Sequence, residues 1–183
     1  METYIKISTL NDFVYCPKSI YFHELYDKYN TYIYHTTYQQ QWKFNHESID
    51  RQFYSNKKNI LQSLTVYSQK YQLLGKIDLY NKATKTLIER KTYIKEIYQG
   101  YIYQVWAQYL CLEEMWYKVK QIILHSKKDN KSYSISLPFW KELEKFIKFL
   151  ENYHKFNLHN FKQTNPKKCQ MCIYKNLCDI ALI

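Results

Sequence analysis

Gly75-Lys76-Ile77-Asp78-Leu79-Tyr80 and, after a short polar stretch, Leu87-Ile88-Glu89-Arg90-Lys91 are the segments whose reading decides the fold. The first alternates polar and apolar residues at period two, the pattern of a strand with one buried face. The second is a further strand candidate, and Asn81-Lys82-Ala83-Thr84-Lys85 between them is a turn candidate. A two-residue turn centred on Ala83-Thr84 places Asp78 directly opposite Glu89 on adjacent antiparallel strands. Like charges facing each other are unfavourable unless something positive lies between them. A divalent cation resolves that conflict, and hard carboxylate oxygens suit Mg²⁺ or Mn²⁺. Lys91 follows Glu89 by two residues and emerges on the same face, where its ammonium would hold or polarise a water beside the metal. The plainer alternative is a solvated face on which Lys91 and Lys76 pair casually with the two acids.

Working outward, Leu61 to Leu74 is rich in Leu, Val and Tyr and adds a third consecutive strand, so an antiparallel meander is expected. Upstream, Ser8 is placed to cap a short helix through Leu10, Phe13 and Val14, and Pro17 suits the first turn of a second helix through Ile20, Tyr21 and Leu25. Thr36 to Phe53 is polar with scattered aromatics and predicts an exposed helix. Downstream, Glu96 to Met115 carries Ile97, Tyr101, Gln104, Gln108, Cys111 and Leu112 at helical spacings. Val119 to His125 and Tyr133 to Leu137 read as two strands about the turn Lys127-Lys128-Asp129-Asn130. Pro138 opens a last long helix with Phe139, Leu143, Phe146, Ile147 and Leu150 on one side. The basic, polar run from His154 to Lys168 is a connector within one domain. The order predicts a mixed α/β core, a sheet flanked by helices, over residues 1–183 as a single domain.

Composition narrows the function. Twenty-seven Lys and Arg against sixteen Asp and Glu give a formal charge of +11, which favours a polyanionic partner, nucleic acid before an anionic membrane surface. The plainer reading is a lysine-rich soluble surface. Two glycines, Gly75 and Gly100, exclude the glycine-rich loops that cradle nucleotides. Twenty-one Tyr, nine Phe and four Trp suit base stacking on single strands and equally suit an ordinary core. The N-terminus lacks the apolar stretch of a signal peptide and no run is long enough to span a bilayer, so a cytoplasmic protein with no membrane partner is expected.

Five cysteines in a reducing compartment point to metal or catalysis. Cys169, Cys172 and Cys178 are spaced to bring three thiolates round one centre, and Cys16 is the natural fourth ligand. Cys111 falls inside an apolar helix pattern and reads as a buried free thiol. Four thiolates serve zinc or a four-iron cluster equally well. Either centre would join residue 16 to residue 169 and close a loop of nearly the whole chain. His46-Glu47 adds an imidazole that is a candidate metal ligand, although a helical surface histidine is commonly no more than that.

Taken together, these residues resemble the RecB-like PD-(D/E)xK nucleases, and most closely the CRISPR-associated iron–sulfur exonuclease, the fourth Cas family. Tyr15-Cys16-Pro17 is similar to the family's first cluster ligand in its N-terminal helix, and His46-Glu47 to its helical histidine motif. Gly75-Lys76-Ile77-Asp78 resembles its GxxD strand and Ile88-Glu89-Arg90-Lys91 its ExK strand. Gln104, followed by Leu112-Glu113-Glu114, resembles its QxxxY helix, and Cys169, Cys172 and Cys178 match the C-terminal cluster ligands in spacing. Gln108 stands where the family has tyrosine, with Tyr109 next door and Tyr103 before it.

The resemblance implies a restriction-endonuclease-like core with a cluster module built from about residues 8–27 and 160–183. It implies a 4Fe-4S cluster on Cys16, Cys169, Cys172 and Cys178. It implies Mn²⁺ or Mg²⁺ on His46, Asp78, Glu89 and the backbone carbonyl of Arg90, with Lys91, Asp78, Glu89 and Gln104 as catalytic residues. The implied activity is metal-dependent exonuclease action on single-stranded DNA or overhangs, trimming prespacers with the integrase of CRISPR adaptation. With only Arg51 and Arg90 in the chain, phosphate contacts rest on lysines, among them Lys57, Lys58, Lys162, Lys167 and Lys168. A non-cleaving DNA-end-binding subunit of an integrase or repair complex, and a zinc-stapled DNA-binding domain, are the competing readings.

Overall fold

The computed structural model describes residues 4–26 and 58–182. Its elements run β1 (Ile5–Lys6), α1 (Thr9–Tyr15), α2 (Pro17–Tyr26), β2 (Ile60–Ser68), β3 (Leu73–Asn81), β4 (Thr86–Lys91), α3 (Gln99–Glu114), β5 (Gln121–Ser126), β6 (Lys131–Ile135), α4 (Trp140–Lys155) and α5 (Pro166–Gln170). The architecture is mixed α/β, a mixed sheet flanked by helices, as expected. The helix expected between Thr36 and Phe53 lies outside the described residues.

The meander forms. β2 pairs antiparallel with β3 from end to end except at Ser63 and Asp78, and β3 pairs antiparallel with β4. Leu61 to Leu74 is two strands rather than one, because the chain reverses between Ser68 and Leu73 with Gln72 at φ 51°. The β3–β4 connection is four residues, not two. Asn81 accepts from the backbone N–H groups of Ala83 (3.0 Å) and Thr84 (3.3 Å), and Lys85 takes φ 57°. Its centre is nonetheless Ala83-Thr84, so the register stands: Leu79 faces Ile88, and Tyr80 faces Leu87. β5 joins β4 in parallel and β6 closes the far side antiparallel.

Since β2 occupies one edge of β3 throughout, β1 and β4 share the other. β1 pairs parallel with Leu73 and Leu74, and β4 with Leu79 to Asn81. Between them the edge of β3 from residue 75 to residue 78 is left open, and the site is built in that opening.

One face of the sheet is covered by α3, whose Val105, Trp106, Ala107, Leu110, Cys111 and Leu112 are buried. α1 crosses α3 at Gly100, where a Cβ would fall 2.4 Å from Asn11 Oδ1 and 3.2 Å from its Cα, so only glycine allows this approach. α4 completes the layer through rings: Phe146 and Phe149 pack on Tyr103 at 4.9 and 4.4 Å, and Phe13 of α1 sits 4.5 Å from Tyr153. Phe139, expected on the apolar side of α4, is instead 76% exposed, because it precedes the helix and its N–H is capped by Glu142 at 3.0 Å. Ser8 stands at the N-cap of α1 without a side-chain bond; Thr9 Oγ1 bonds Lys6 O instead, at 2.8 Å. Among the described residues no helix is long and apolar enough to cross a membrane.

Candidate active site

Asp78 sits where the ladders on both sides of β3 are interrupted. Every other residue of β3 pairs with β2, but opposite Asp78 stands Ser63, with φ 50° and no place in the ladder. On the other edge the β3–β4 ladder ends at Leu79–Ile88, one step before Asp78 would meet Glu89. There the Arg90 N–H donates to Asp78 Oδ2 at 2.7 Å. The carboxylate thus takes the backbone donor that a continuing strand would have taken, and wedges the two strands apart.

Alternation fixes where the neighbours point. Lys91 O accepts from Lys127 N–H at 2.9 Å on the β5 side. Arg90, one residue earlier, therefore turns its N–H and its carbonyl toward β3 and the opening. Glu89 and Lys91 place their side chains on the face covered by α3.

Tyr101, Gln104 and Gln108 share one stripe of α3 by their three- and four-residue spacings. Gln104 Nε2 donates to Glu89 Oε1 at 2.8 Å, and its Oε1 accepts from Lys91 Nζ at 2.6 Å. Lys91 Nζ also donates to Glu89 Oε1 at 2.9 Å and lies 5.1 Å from the centre of the Tyr101 ring. Gln108, fully buried, donates from Nε2 to Glu89 Oε2 at 2.8 Å and to Lys76 O at 3.2 Å. Its amide fills the gap left by the parted strands. Both of its acceptors are oxygens, so the amide orientation is fixed, and Gln108 Oε1 has no partner among the described residues.

Asp78, Glu89, Lys91, Gln104 and Arg90 are thus gathered within one opening, while His46 lies outside the described residues. Burial pushes the Glu89 carboxyl above its usual range; the Lys91 ammonium opposes the shift and the Asp78 charge adds to it. The sequence reading missed Tyr101 as a neighbour of Lys91, although its spacing from Gln104 carried the signal. Glu113 and Glu114, beyond Gln104, face away: Glu114 accepts from Ser68 Oγ at 2.5 Å and Gln69 N–H at 2.8 Å, and Glu113 from Val119 N–H at 2.6 Å. Two buried carboxylates lie within charge range of each other, with the Lys91 ammonium on Glu89 and the Lys127 ammonium within charge range of Asp78, and their hard oxygens are of the kind that suits a divalent cation.

A second cluster lies at the chain's two ends. Cys16, Cys169, Cys172 and Cys178 line one cavity together with Tyr15 and Lys168. Burial pushes the Cys172 thiol up, and the nearby Cys16, Cys178 and Cys169 push it further. Four sulfurs are, once deprotonated, the kind of donor set that suits a soft metal centre. Among the described residues no group of three or more His, Cys, Asp or Glu is placed closely enough to hold a metal ion as it stands. The walls come from both termini. Tyr15 donates to Lys168 O at 2.6 Å, Lys168 Nζ donates to Val14 O at 3.0 Å, Lys18 pairs with Asp179 at 3.0 Å, and Phe22 stacks on Tyr174 at 5.2 Å. Lys168, a candidate for phosphate contact by sequence, is thereby committed to this junction. Cys111 is buried in α3 as expected, its thiol pushed up to about 12 by that burial.

No family model matches the chain, and comparison with curated proteins finds no match to its sequence. Among solved structures, the crystal structure of SSO0001 is similar in fold: TM-score 0.64 at 15% identity, over 100% of this chain and 89% of that one. At that identity the similarity is one of fold.

Proposed function

We propose that this chain is a metal-dependent DNA exonuclease with a PD-(D/E)xK core, acting on single-stranded DNA or overhangs. The observation that carries the reading is the parting of β3 from β4 at Asp78, which gathers two acids, a lysine and a glutamine in one buried opening. The four-thiol cavity joining the chain ends supports a 4Fe-4S cluster module of residues 8–27 and 160–183 in the same molecule. The resemblance extends the proposal to prespacer trimming beside a CRISPR adaptation integrase.

Asp78, Glu89 and the Arg90 carbonyl would hold Mn²⁺ or Mg²⁺, with His46 as a further ligand. Such an ion supplies Lewis acidity toward a phosphate oxygen and a bound water of lowered pKa. The chain's own part is positional. Gln104 and the Tyr101 ring fix the Lys91 ammonium, which orients the attacking water and offsets charge developing on the phosphate. Gln104, Gln108 and Lys91 hold the Glu89 carboxylate at both oxygens, so it meets the ion in one orientation.

Asp78→Ala and Lys91→Ala should each abolish Mn²⁺-dependent degradation of single-stranded DNA while the anaerobically purified protein stays brown. Full activity in both variants contradicts the assignment.

A further inference from the structure

The end of the sheet away from this site carries a second feature. α3 terminates through a paired hydrogen-bond motif: Tyr117 N–H to Leu112 O at 2.8 Å and Trp116 N–H to Glu113 O at 3.1 Å. That motif places Trp116 in the left-handed region, at φ 66°, where glycine is favoured and a residue with a Cβ is not. Of the five non-glycine residues with positive φ among the described residues, the other four are polar. The ring gains no packing in return, for Trp116 is 93% exposed.

Other exposed rings and unpaired cations share that end. Lys120 N–H bonds Lys85 O at 2.8 Å, Lys82 N–H bonds Asn59 O at 2.8 Å, and Tyr80 donates to Lys118 O at 2.6 Å. Ile122 faces Ile135, which brings the start of α4 to the same end, with Phe139 76% and Trp140 84% exposed. Lys58, Lys82, Lys118, Lys120 and Lys141 are exposed and Lys85 half-buried, and none of the six makes an ion pair among the described residues. The acids there, Glu113 and Glu142, are engaged by the N–H groups of Val119 and Phe139.

We infer that Trp116 and Trp140, among these lysines, form a docking surface for single-stranded nucleic acid, the bases stacking on the rings and the phosphates meeting the ammonium groups. Protein interfaces are also rich in tryptophan, but they are depleted in lysine, and the charge here is complementary to a polyanion. Counted from Lys85, the surface stands about 13 Å along β4 from Glu89 and about 20 Å from Lys91, at ~3.3 Å per strand residue. A strand held at both places is therefore gripped beyond the bonds being cut. This deepens the nuclease reading without depending on its chemistry.

The test is binding of a labelled dT20 oligonucleotide to the full chain in EDTA, by fluorescence anisotropy. Trp116→Gly should weaken binding about tenfold or more while raising Tm by about 2–4 °C, since glycine relieves the backbone. Trp140→Ala should weaken it similarly. Replacing Lys82, Lys85, Lys118 and Lys120 with Gln should reduce the slope of log K against log salt by about 3, at ~0.7 per phosphate contact. Unchanged dT20 affinity in both tryptophan variants, the result expected of a surface that seats a protein, overturns the inference. The nuclease reading is scored separately, by cleavage in Mn²⁺: its loss in Asp78→Ala with dT20 binding retained supports that reading whatever Trp116 does.

Discussion

Gln108 illustrates how a single residue adapts a site. The family resemblance sets tyrosine at this position; here a buried amide spans Lys76 O and Glu89 Oε2 across the opened strands. Glu89 Oε1 already accepts from Lys91 and Gln104, so Oε2 is the oxygen with a lone pair left for an ion. Gln108→Leu should therefore weaken Mn²⁺ binding about tenfold, the usual scale for groups that orient a ligand. Acidity acts on the same carboxyl. Its value is raised in the fold, so stability from this group is present below the ordinary value of 4.5 and is lost as pH rises through the raised one. A cation must displace that proton, so affinity for Mn²⁺ should climb as pH rises above the ordinary value of 4.5. Calorimetric titration of wild type and Gln108→Leu across that range checks both; a pH-independent affinity, or equal binding by the variant, contradicts this account of Glu89.

At the scale of elements, register was the legible part. Period-two alternation and a turn centred on Ala83-Thr84 place Asp78 opposite Glu89, and the paired residues of β3 and β4 follow that register. The parting of the strands was not legible. It arises from a side chain capturing a backbone N–H and from a left-handed Ser63 on the next strand, neither of which has a pattern in sequence. α3 was foreseen to within a turn at its N-terminal end and one residue at its C-terminal end, because its apolar residues recur at helical spacing. Phe139 misled for the opposite reason. Its hydrophobicity counted toward the α4 stripe, but Pro138 and the Glu142 cap start the helix one residue later and leave the ring in solvent. Trp116 gave no signal at all, since a bulky residue at a left-handed helix terminus contradicts the usual glycine rule.

Across the whole molecule, Cys16 from one end of the chain lines the same cavity as Cys169, Cys172 and Cys178 from the other. The cluster proposed there would close a loop of roughly 150 residues, worth about 5 kcal/mol in lost freedom of the unfolded chain. Cys16→Ala should accordingly lower Tm by on the order of 10 °C, at ~2–4 °C per kcal/mol for a chain of this size. The loss should spread to α3 and the sheet, since α1 is locked to α3 at Gly100. Thermal unfolding followed by circular dichroism measures it, and an unchanged melting curve would remove the cluster from the account of stability.

The proposed role of the site turns on Asp78 and Glu89, which the end of the β3–β4 ladder leaves unpaired with each other, sharing a divalent cation. Crystals soaked in Mn²⁺ and measured at the manganese absorption edge test it most directly. The account predicts an anomalous peak about 2.1 Å from a carboxylate oxygen of each acid, absent in Asp78→Ala. A Mn²⁺ peak elsewhere, with none between those two carboxylates, would contradict it.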